Sequence, residues 1–461
     1  MNTCKAILFL TIFLLGGCAQ SHLDIFPELE DPSLMDRKIS VTELHQDIDA
    51  FVAGVQARHP DFDGYANQQE LQQSVLKLKQ HIDQPLTRVE FFRYVGQLSH
   101  LFNDGHSFLI WPYQEYAAAV DAGTAPFPFA VKEQDGSLYL ARDYNLSTDS
   151  ESKTLVAGSR IISINGVSAE QIIEQGQHFV GGETQRLREA FVAARFPYIL
   201  WAVFGMIGNF ELEVQHETQV DSIKLNSTQQ WQSQTAQVAH SELELQILEP
   251  GLGYLRVSSF DVDPEQFADD IAEYFSTIKQ QNIQHLIIDI RDNTGGNTDT
   301  ATELASYLAD KPFQLVSHVT ERLNEDNRGW FGYKGSVGDI IRTPWTDEVN
   351  PKSEARRFTG NVYVLIGPVT YSAAIVFATT VQDNEMGTLV GESTGGYANQ
   401  TAQGNLFNLP HSQLRAYVAT RLLVRPNGAR EVTTVVPDVI VQPDVASGSD
   451  TALTKIKELL Q

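Results

Sequence analysis

The chain has only two cysteines among 461 residues, Cys4 and Cys18, both close to its first residue. The body of the chain can therefore form no internal disulfide and no thiolate metal site, and its nucleophile cannot be a cysteine. Basic residues are also scarce, 33 Lys and Arg against 58 Asp and Glu, for a formal net charge of −25. Such an acidic chain is unsuited to nucleic acid and to electrostatic docking on anionic lipid. Long apolar runs are missing too. The run Phe196 to Phe204 falls well short of the roughly 20 residues that a membrane-spanning helix needs.

The N-terminus has a short basic region ending at Lys5, followed by the apolar run Ala6 to Leu15. That run is too short to span a bilayer and fits the hydrophobic segment of a signal peptide. It ends in Leu15-Gly16-Gly17-Cys18, which resembles a bacterial lipobox. The resemblance implies that Cys18 is lipidated and anchors the protein in the cell envelope. Ala19-Gln20 follows, without the aspartate that retains such lipoproteins at the inner membrane. The implied location is the outer membrane, facing periplasm or exterior.

Residues 1–18 thus read as leader and lipobox, and 19–39, with Pro27 and Pro32, as a tether. From 40 to 115 the apolar residues recur at helical spacing, as in Ile48-Phe51-Val52-Val55, and predict a small helical bundle. Residues 116–235 form a β-rich unit with a helical insertion over 183–207. Its centre runs from Arg160 to Ile164, with an Asn165-Gly166 turn and a helix start at Ser168. After a polar, Gln-rich boundary at 226–240, residues 245–461 alternate strand and helix, the pattern of an α/β core with a buried sheet.

Within that core, Val362 to Ile366 reads as a buried strand and Ala373 onward as a helix. Ser372 lies between them. At this place free amides and the helix dipole can stabilise an oxyanion, although a serine at a helix start is also an ordinary N-cap.

Three segments now stand in order: Asp104-Gly105-His106-Ser107, Asp289-Ile290-Arg291-Asp292-Asn293-Thr294-Gly295-Gly296, and Tyr371-Ser372-Ala373-Ala374. Together they resemble the C-terminal processing (tail-specific) protease and tricorn-core family of serine peptidases. The β-rich unit resembles a PDZ-like domain, with Ser159-Arg160 in place of the usual Gly-Asp. The resemblance implies a crotonase/ClpP-like β-α catalytic core joined to an N-terminal helical bundle and a PDZ-like domain.

One branch of the family pairs its serine with a lysine. Here Tyr397 stands at that place, and no lysine occurs between Lys352 and Lys455. The other branch uses Ser-His-Glu, which implies Ser372 as nucleophile, His106 as base and Glu431 as its orienting carboxylate, with Glu392 the second candidate. His100 is the rival base. Serine needs an adjacent base, and imidazole supplies one near neutral pH. The amides of Ala373 and of Gly295 or Gly296 are expected to hold the oxyanion, glycine permitting the close approach. Asp289, Asp292 and Asp299 read as turn and cap residues, so no metal and no cofactor is expected.

The resulting expectation is a lipid-anchored serine endopeptidase that cleaves peptides or unfolded polypeptides by an acyl-enzyme route. A non-catalytic peptide- or ligand-binding lipoprotein on the same scaffold is the alternative. Crotonase-like acyl-CoA chemistry is a third, opposed by the acidic charge.

Overall fold

The computed structural model describes residues 26–147, 152–225, 242–328 and 334–461. Cys18, the leader and the boundary at 226–240 lie outside these residues. Among those described, no helix is long and apolar enough to cross a membrane.

The N-terminal part is helical, as its periodicity predicts. Helix α1 (Val41–Arg58) opens with a capping box, in which the Ser40 hydroxyl accepts from the Glu43 amide and Glu43 accepts from the Ser40 amide. Its Leu44, Ile48, Phe51 and Val55 are fully buried. Helices α2 (Gln68–His81) and α3 (Arg88–Val95) follow, and then a 3₁₀ segment, Gly96–Phe102. That segment stops at Asn103, whose φ of 48° turns the chain toward strand β1 (Ser107–Leu109).

The middle of the chain forms a six-stranded antiparallel sheet whose main path follows sequence order: β2 (Val131–Gln134), β3 (Ser137–Leu140), β4 (Arg160–Ile164), β5 (Phe210–His216) and β6 (Gln219–Leu225), with the two residues Val167–Ser168 paired to β4. Helix α4 (Ala169–Gly176) begins at the expected Ser168 cap. The insertion supplies α5 (Gln185–Ala194) and α6 (Phe196–Phe204).

The last part contains two sheets. The first has the order β7 (Leu243–Glu249), β8 (Leu252–Val257), β9 (His285–Asp289), β12 (Asn361–Ile366), β13 (Thr388–Gly391), β16 (Val439–Ile440). Every pair is parallel except β7 with β8. Helices α7 (Pro264–Gln280), α8 (Thr298–Ser306), α9 (Ala373–Asp383) and α10 (Thr451–Leu459) accompany it. Leu286, Ile287 and Ile288 of β9 and Val364, Leu365 and Ile366 of β12 are all at 0% exposure. Burial on both faces explains why these strands read as continuous apolar runs.

The second sheet has the order β1, β15 (Arg415–Val424), β10 (His318–Arg322), β11 (Ile340–Pro344), with β14 (Thr401–Asn408) also paired to β15. The sequence did not announce it. Strand β14 has no clean alternation of buried and exposed residues, and β15 carries Arg415 and Arg421 among its apolar positions. This sheet matters most for function, because its edge strand β1 comes from the N-terminal part. Ser107, Phe108 and Leu109 pair antiparallel with Val418, Tyr417 and Ala416. The expected helical unit is thereby stitched into the core, and His106, one residue before β1, is delivered there by backbone hydrogen bonds.

Polar ties hold the same junction. Fully buried Asp47 of α1 accepts from the amides of His411 (2.9 Å) and Ser412 (2.7 Å) in the β14–β15 turn. Arg58 donates to Asn405 Oδ1 at 2.7 Å, and Arg322 to the His59 carbonyl at 2.8 Å. Asp47→Ala leaves the two amides without an acceptor. We expect a loss of about 2–3 kcal/mol in unfolding free energy, measured by urea denaturation, with Asp47→Asn recovering part of it.

Candidate active site

The chain leaves β12 through Gly367 to Tyr371, and this turn is fixed from below. Thr370 Oγ1 donates to the Ile290 carbonyl at 2.9 Å, and the Tyr371 amide to the Asn293 carbonyl at 3.1 Å. Ser372 follows with φ 53° and ψ −124°, and its side chain makes no capping bond to α9. A non-glycine residue in this region is strained, and such strain persists only where the surroundings impose it. The N-cap reading of Ser372 is therefore overturned. Its hydroxyl points away from the helix and meets His106 Nε2 at 3.0 Å.

His106 is buried at 7% exposure and stacks on the Tyr371 ring, with centroids 4.7 Å apart. Its Nδ1 faces two hydroxyls, Thr401 Oγ1 at 3.1 Å and Tyr371 Oη at 3.0 Å. Each hydroxyl donates its own proton to a buried acidic side chain. Thr401 donates to Asp104 Oδ1 at 2.5 Å and Tyr371 to Glu183 Oε1 at 2.8 Å. Both oxygens must then accept from the imidazole. Nδ1 carries the hydrogen, and Nε2 presents its lone pair to Ser372.

The two carboxylates differ in state. Burial alone would raise Asp104, but hydrogen bonding and the fields of His59 and His106 hold its pKa down at about 2. It accepts from His59 Nε2 (3.1 Å), Ser107 Oγ (2.5 Å), Thr401 and the His106 amide (3.0 Å). Glu183 is pushed up to about 8, first by burial and then by the Asp104 charge. At neutral pH the first is ionised and the second is not. Burial lowers the His106 imidazole itself, opposed by Asp104 and assisted by Arg195, so the base is neutral and ready at pH 7.

The glycine loop sits against the nucleophile. Gly295 has φ 106°, and a Cβ there would lie 2.5 Å from the Ser372 Cβ, so only glycine fits. Its amide donates to Asn293 Oδ1 at 2.8 Å and is not available to an oxyanion. That corrects the expectation for Gly295. The amides of Gly296 and Ala373, the latter the first residue of α9, have no acceptor among the described residues and remain as the pair that can bind one.

The structure also does not bring Glu431 to the base. Its side chain is exposed, and its backbone carbonyl accepts from Asn399 Nδ2 at 3.1 Å. Glu392 pairs instead with Arg186 at 3.2 Å. His100 faces His178, with ring centroids 4.5 Å apart, and donates to or accepts from no part of the serine turn. Ser107 holds Asp104 and does not touch the imidazole. Asp289 binds Arg291, which also grips Asp450 at 2.7 Å and so ties α10 to the end of β9.

Four orienting residues escaped the sequence reading. Tyr371 was in plain view beside the serine, and Asp104 lay in the Asp-Gly-His-Ser segment. Gly105 hinted at the tyrosine: a Cβ there would lie 2.4 Å from Tyr371 Oη, so glycine makes room for that hydroxyl. Glu183 and Thr401 carry no local signal, being joined to the base only through space.

The site opens into a cavity of about 830 Å³. Leu315, Val319, Ile341, Trp345 and Leu423, largely from the second sheet, line its far wall.

A serine bonded to a neutral, oriented imidazole, with the free Ala373 amide next in the chain, is an arrangement suited to acyl transfer as in serine hydrolases. Comparison with known proteins agrees. Residues 251–441 match the profile of Peptidase family S41, a family of serine peptidases. It is similar to carboxyl-terminal-processing peptidase 2, chloroplastic, of Arabidopsis thaliana (24% identical over 147 residues, 32% of this chain and 24% of that protein). It is likewise similar to a carboxyl-terminal-processing protease of Picosynechococcus sp. (26% over 159 residues, 34% and 31%). The matched stretch spans only a quarter to a third of these relatives' length. Among solved structures, mature CPAF shares the mixed α/β fold, with a TM-score of 0.67 at 16% identity over 91% of this chain and 97% of that one. Mature CPAF complexed with lactacystin gives 0.64 at 16% identity, with the same coverage.

Two pH effects follow. With His106 as the base, the acid limb of kcat/KM is expected to have its midpoint below the ordinary imidazole value, because burial lowers this imidazole; a limb centred above the ordinary value would contradict this base. Glu183 binds a proton more tightly folded than unfolded. Its contribution to stability is therefore full below the unfolded carboxyl value and is lost as pH rises toward about 8. Denaturation of Glu183→Gln at pH 5, 7 and 9 is expected to lack this decline.

Proposed function

We propose that the protein is a serine endopeptidase acting on peptides or unfolded polypeptides in the bacterial cell envelope. The observation that carries the proposal is the 3.0 Å contact between Ser372 Oγ and His106 Nε2 at a strained strand-to-helix turn. Ser372 Oγ attacks the scissile carbonyl and its proton passes to Nε2. The Ala373 and Gly296 amides take the oxyanion. Nε2 then returns the proton to the departing amine, and water resolves the acyl-enzyme by the same steps in reverse. Thr401 and Tyr371 act as positioning residues, and Asp104 supplies negative charge one hydroxyl away from the forming imidazolium.

The antiparallel sheet β2–β6, with its Asn-Gly turn and α4, supports a PDZ-like role, binding a substrate terminus by strand addition or gating the site. The parallel sheet with its flanking helices supports a crotonase/ClpP-like core. The lipobox supports attachment through Cys18.

The test is labelling of the purified full-length chain with a fluorophosphonate probe. Wild type is expected to label stoichiometrically, with Ser372→Ala and His106→Ala unlabelled. An unreactive wild type, with and without peptide, would favour a protein that only binds. Thr401→Val removes one of two acceptors for Nδ1–H, and its kcat is expected to fall about ten- to a hundredfold at little change in KM.

A further inference from the structure

The segment expected as a tether over 19–39 is docked from Phe26 onward, and its docking point is the catalytic cavity. Phe26 lines that cavity, together with His106, Phe108 and Trp111. Its ring packs edge-on against Tyr113, with centroids 4.9 Å apart, and stands 6.3 Å from Trp111. Trp111 is stacked in turn on Tyr198 of α6 at 4.9 Å. The next residue is pinned by polar bonds. The Pro27 carbonyl accepts from Tyr113 Oη at 2.6 Å and from Gln114 Nε2 at 3.3 Å, both on the helix Tyr113–Asp121. Farther along, Leu34 is buried and Ile39 pairs with Leu86. Aromatic packing on one residue and two hydrogen bonds on the next make a fixed exit point at the mouth of the cleft.

Length then decides orientation. Phe26 lies eight residues after Cys18, and a chain of that length reaches at most about 29 Å when fully extended. A compact protein of this size has a radius of gyration of about 23 Å, and hence a diameter of about 60 Å. The tether is thus about half as long as the protein is wide. With Cys18 acylated in a bilayer, the cleft mouth cannot turn to the far side. Charge does not compete with this constraint. From Cys18 to Asp36 there is no Lys or Arg, and Asp24, Glu28, Glu30, Asp31 and Asp36 are all acidic. The whole chain carries −25, so neither tether nor body adheres to anionic headgroups.

We propose that the docked tether turns the catalytic cleft toward the membrane, so that the substrates are unfolded stretches of polypeptides anchored in that same membrane, within about 30 Å of its surface. This rests on the peptidase reading and on the attachment through Cys18 given above. Confining enzyme and substrate to one surface raises their effective concentration, an advantage that a polypeptide free in solution does not share. Phe26 then has two roles, as a wall of the cleft and as the point from which the anchor holds it.

The experiment uses the full chain, acylated on Cys18 and reconstituted on vesicles of phosphatidylethanolamine and phosphatidylglycerol. One unfolded fluorogenic reporter peptide is presented in three ways: free, or joined to an N-terminal dipalmitoyl anchor through a Gly/Ser spacer of about 5 or about 40 residues. The short-spacer reporter is expected to be cut at least tenfold faster than the free one, and no more slowly than the long-spacer one. Inserting about 30 Gly/Ser residues between Gln20 and Ser21 is expected to leave the rate on the free reporter unchanged and to reduce the short-spacer advantage at least threefold. Cleavage of the long-spacer reporter alone overturns the proposal, as do equal rates on anchored and free reporters or an advantage that survives the insertion in full. Flotation with the vesicles, set against Cys18→Ser, reads the attachment, and fluorophosphonate labelling reads the peptidase function. Labelling and flotation without a short-spacer advantage remove the membrane-facing cleft alone, whereas a chain that labels and does not float removes it together with the anchor.

Discussion

One buried carboxylate holds the catalytic arrangement together. Asp104 is at 0% exposure and receives four hydrogen bonds, from His59, Ser107, Thr401 and the His106 amide. Those four donors come from the end of the first helix, the edge strand β1, the second sheet and the base itself. A buried charge is tolerable only when its lone pairs are fully occupied, and the folds of all these segments are needed to occupy them. His59 is itself committed, since its Nδ1 accepts from the Asp61 amide at 3.1 Å and so leaves the proton on Nε2 for Asp104. The N-terminal helices therefore belong to the active site as much as to the scaffold.

Much of the core was legible because burial on both faces writes itself into sequence. The runs around Ile288 and Val364 could only be central strands, and the break at Gly367-Pro368 could only end one of them. His106 and Ser372 were legible as chemistry, through the residue types flanking them. The orienting group was not. Glu431 has the right residue type at a plausible spacing, yet it points to solvent, while Asp104 and Glu183 reach the imidazole through the hydroxyls of Thr401 and Tyr371. A relay across two hydroxyls has no sequence spacing, because its members meet only after the second sheet has formed. That sheet was itself hidden by the polar and charged residues in β14 and β15.

The middle unit is also bound to the nucleophile turn. Arg186 of α5 bridges Glu133 on β2 and Glu392 just after β13, and Thr184 donates to the Gly395 carbonyl at 2.6 Å. Gly395 in turn donates to Pro368, in the turn that leads to Ser372, at 3.1 Å. A displacement of β2 therefore has a short mechanical route to the serine. Glu183, which holds Tyr371, lies in the same segment immediately before α5.

Tyr371 and Ser372 are neighbours in the chain, and this adjacency couples two functions usually found on separate elements. The group that aims the base and the group that the base activates share one peptide plane, anchored by the same strand-to-helix turn. Any slip of that turn displaces both at once. A displaced turn thus misplaces the nucleophile and the group that aims its base together, and not one of them alone.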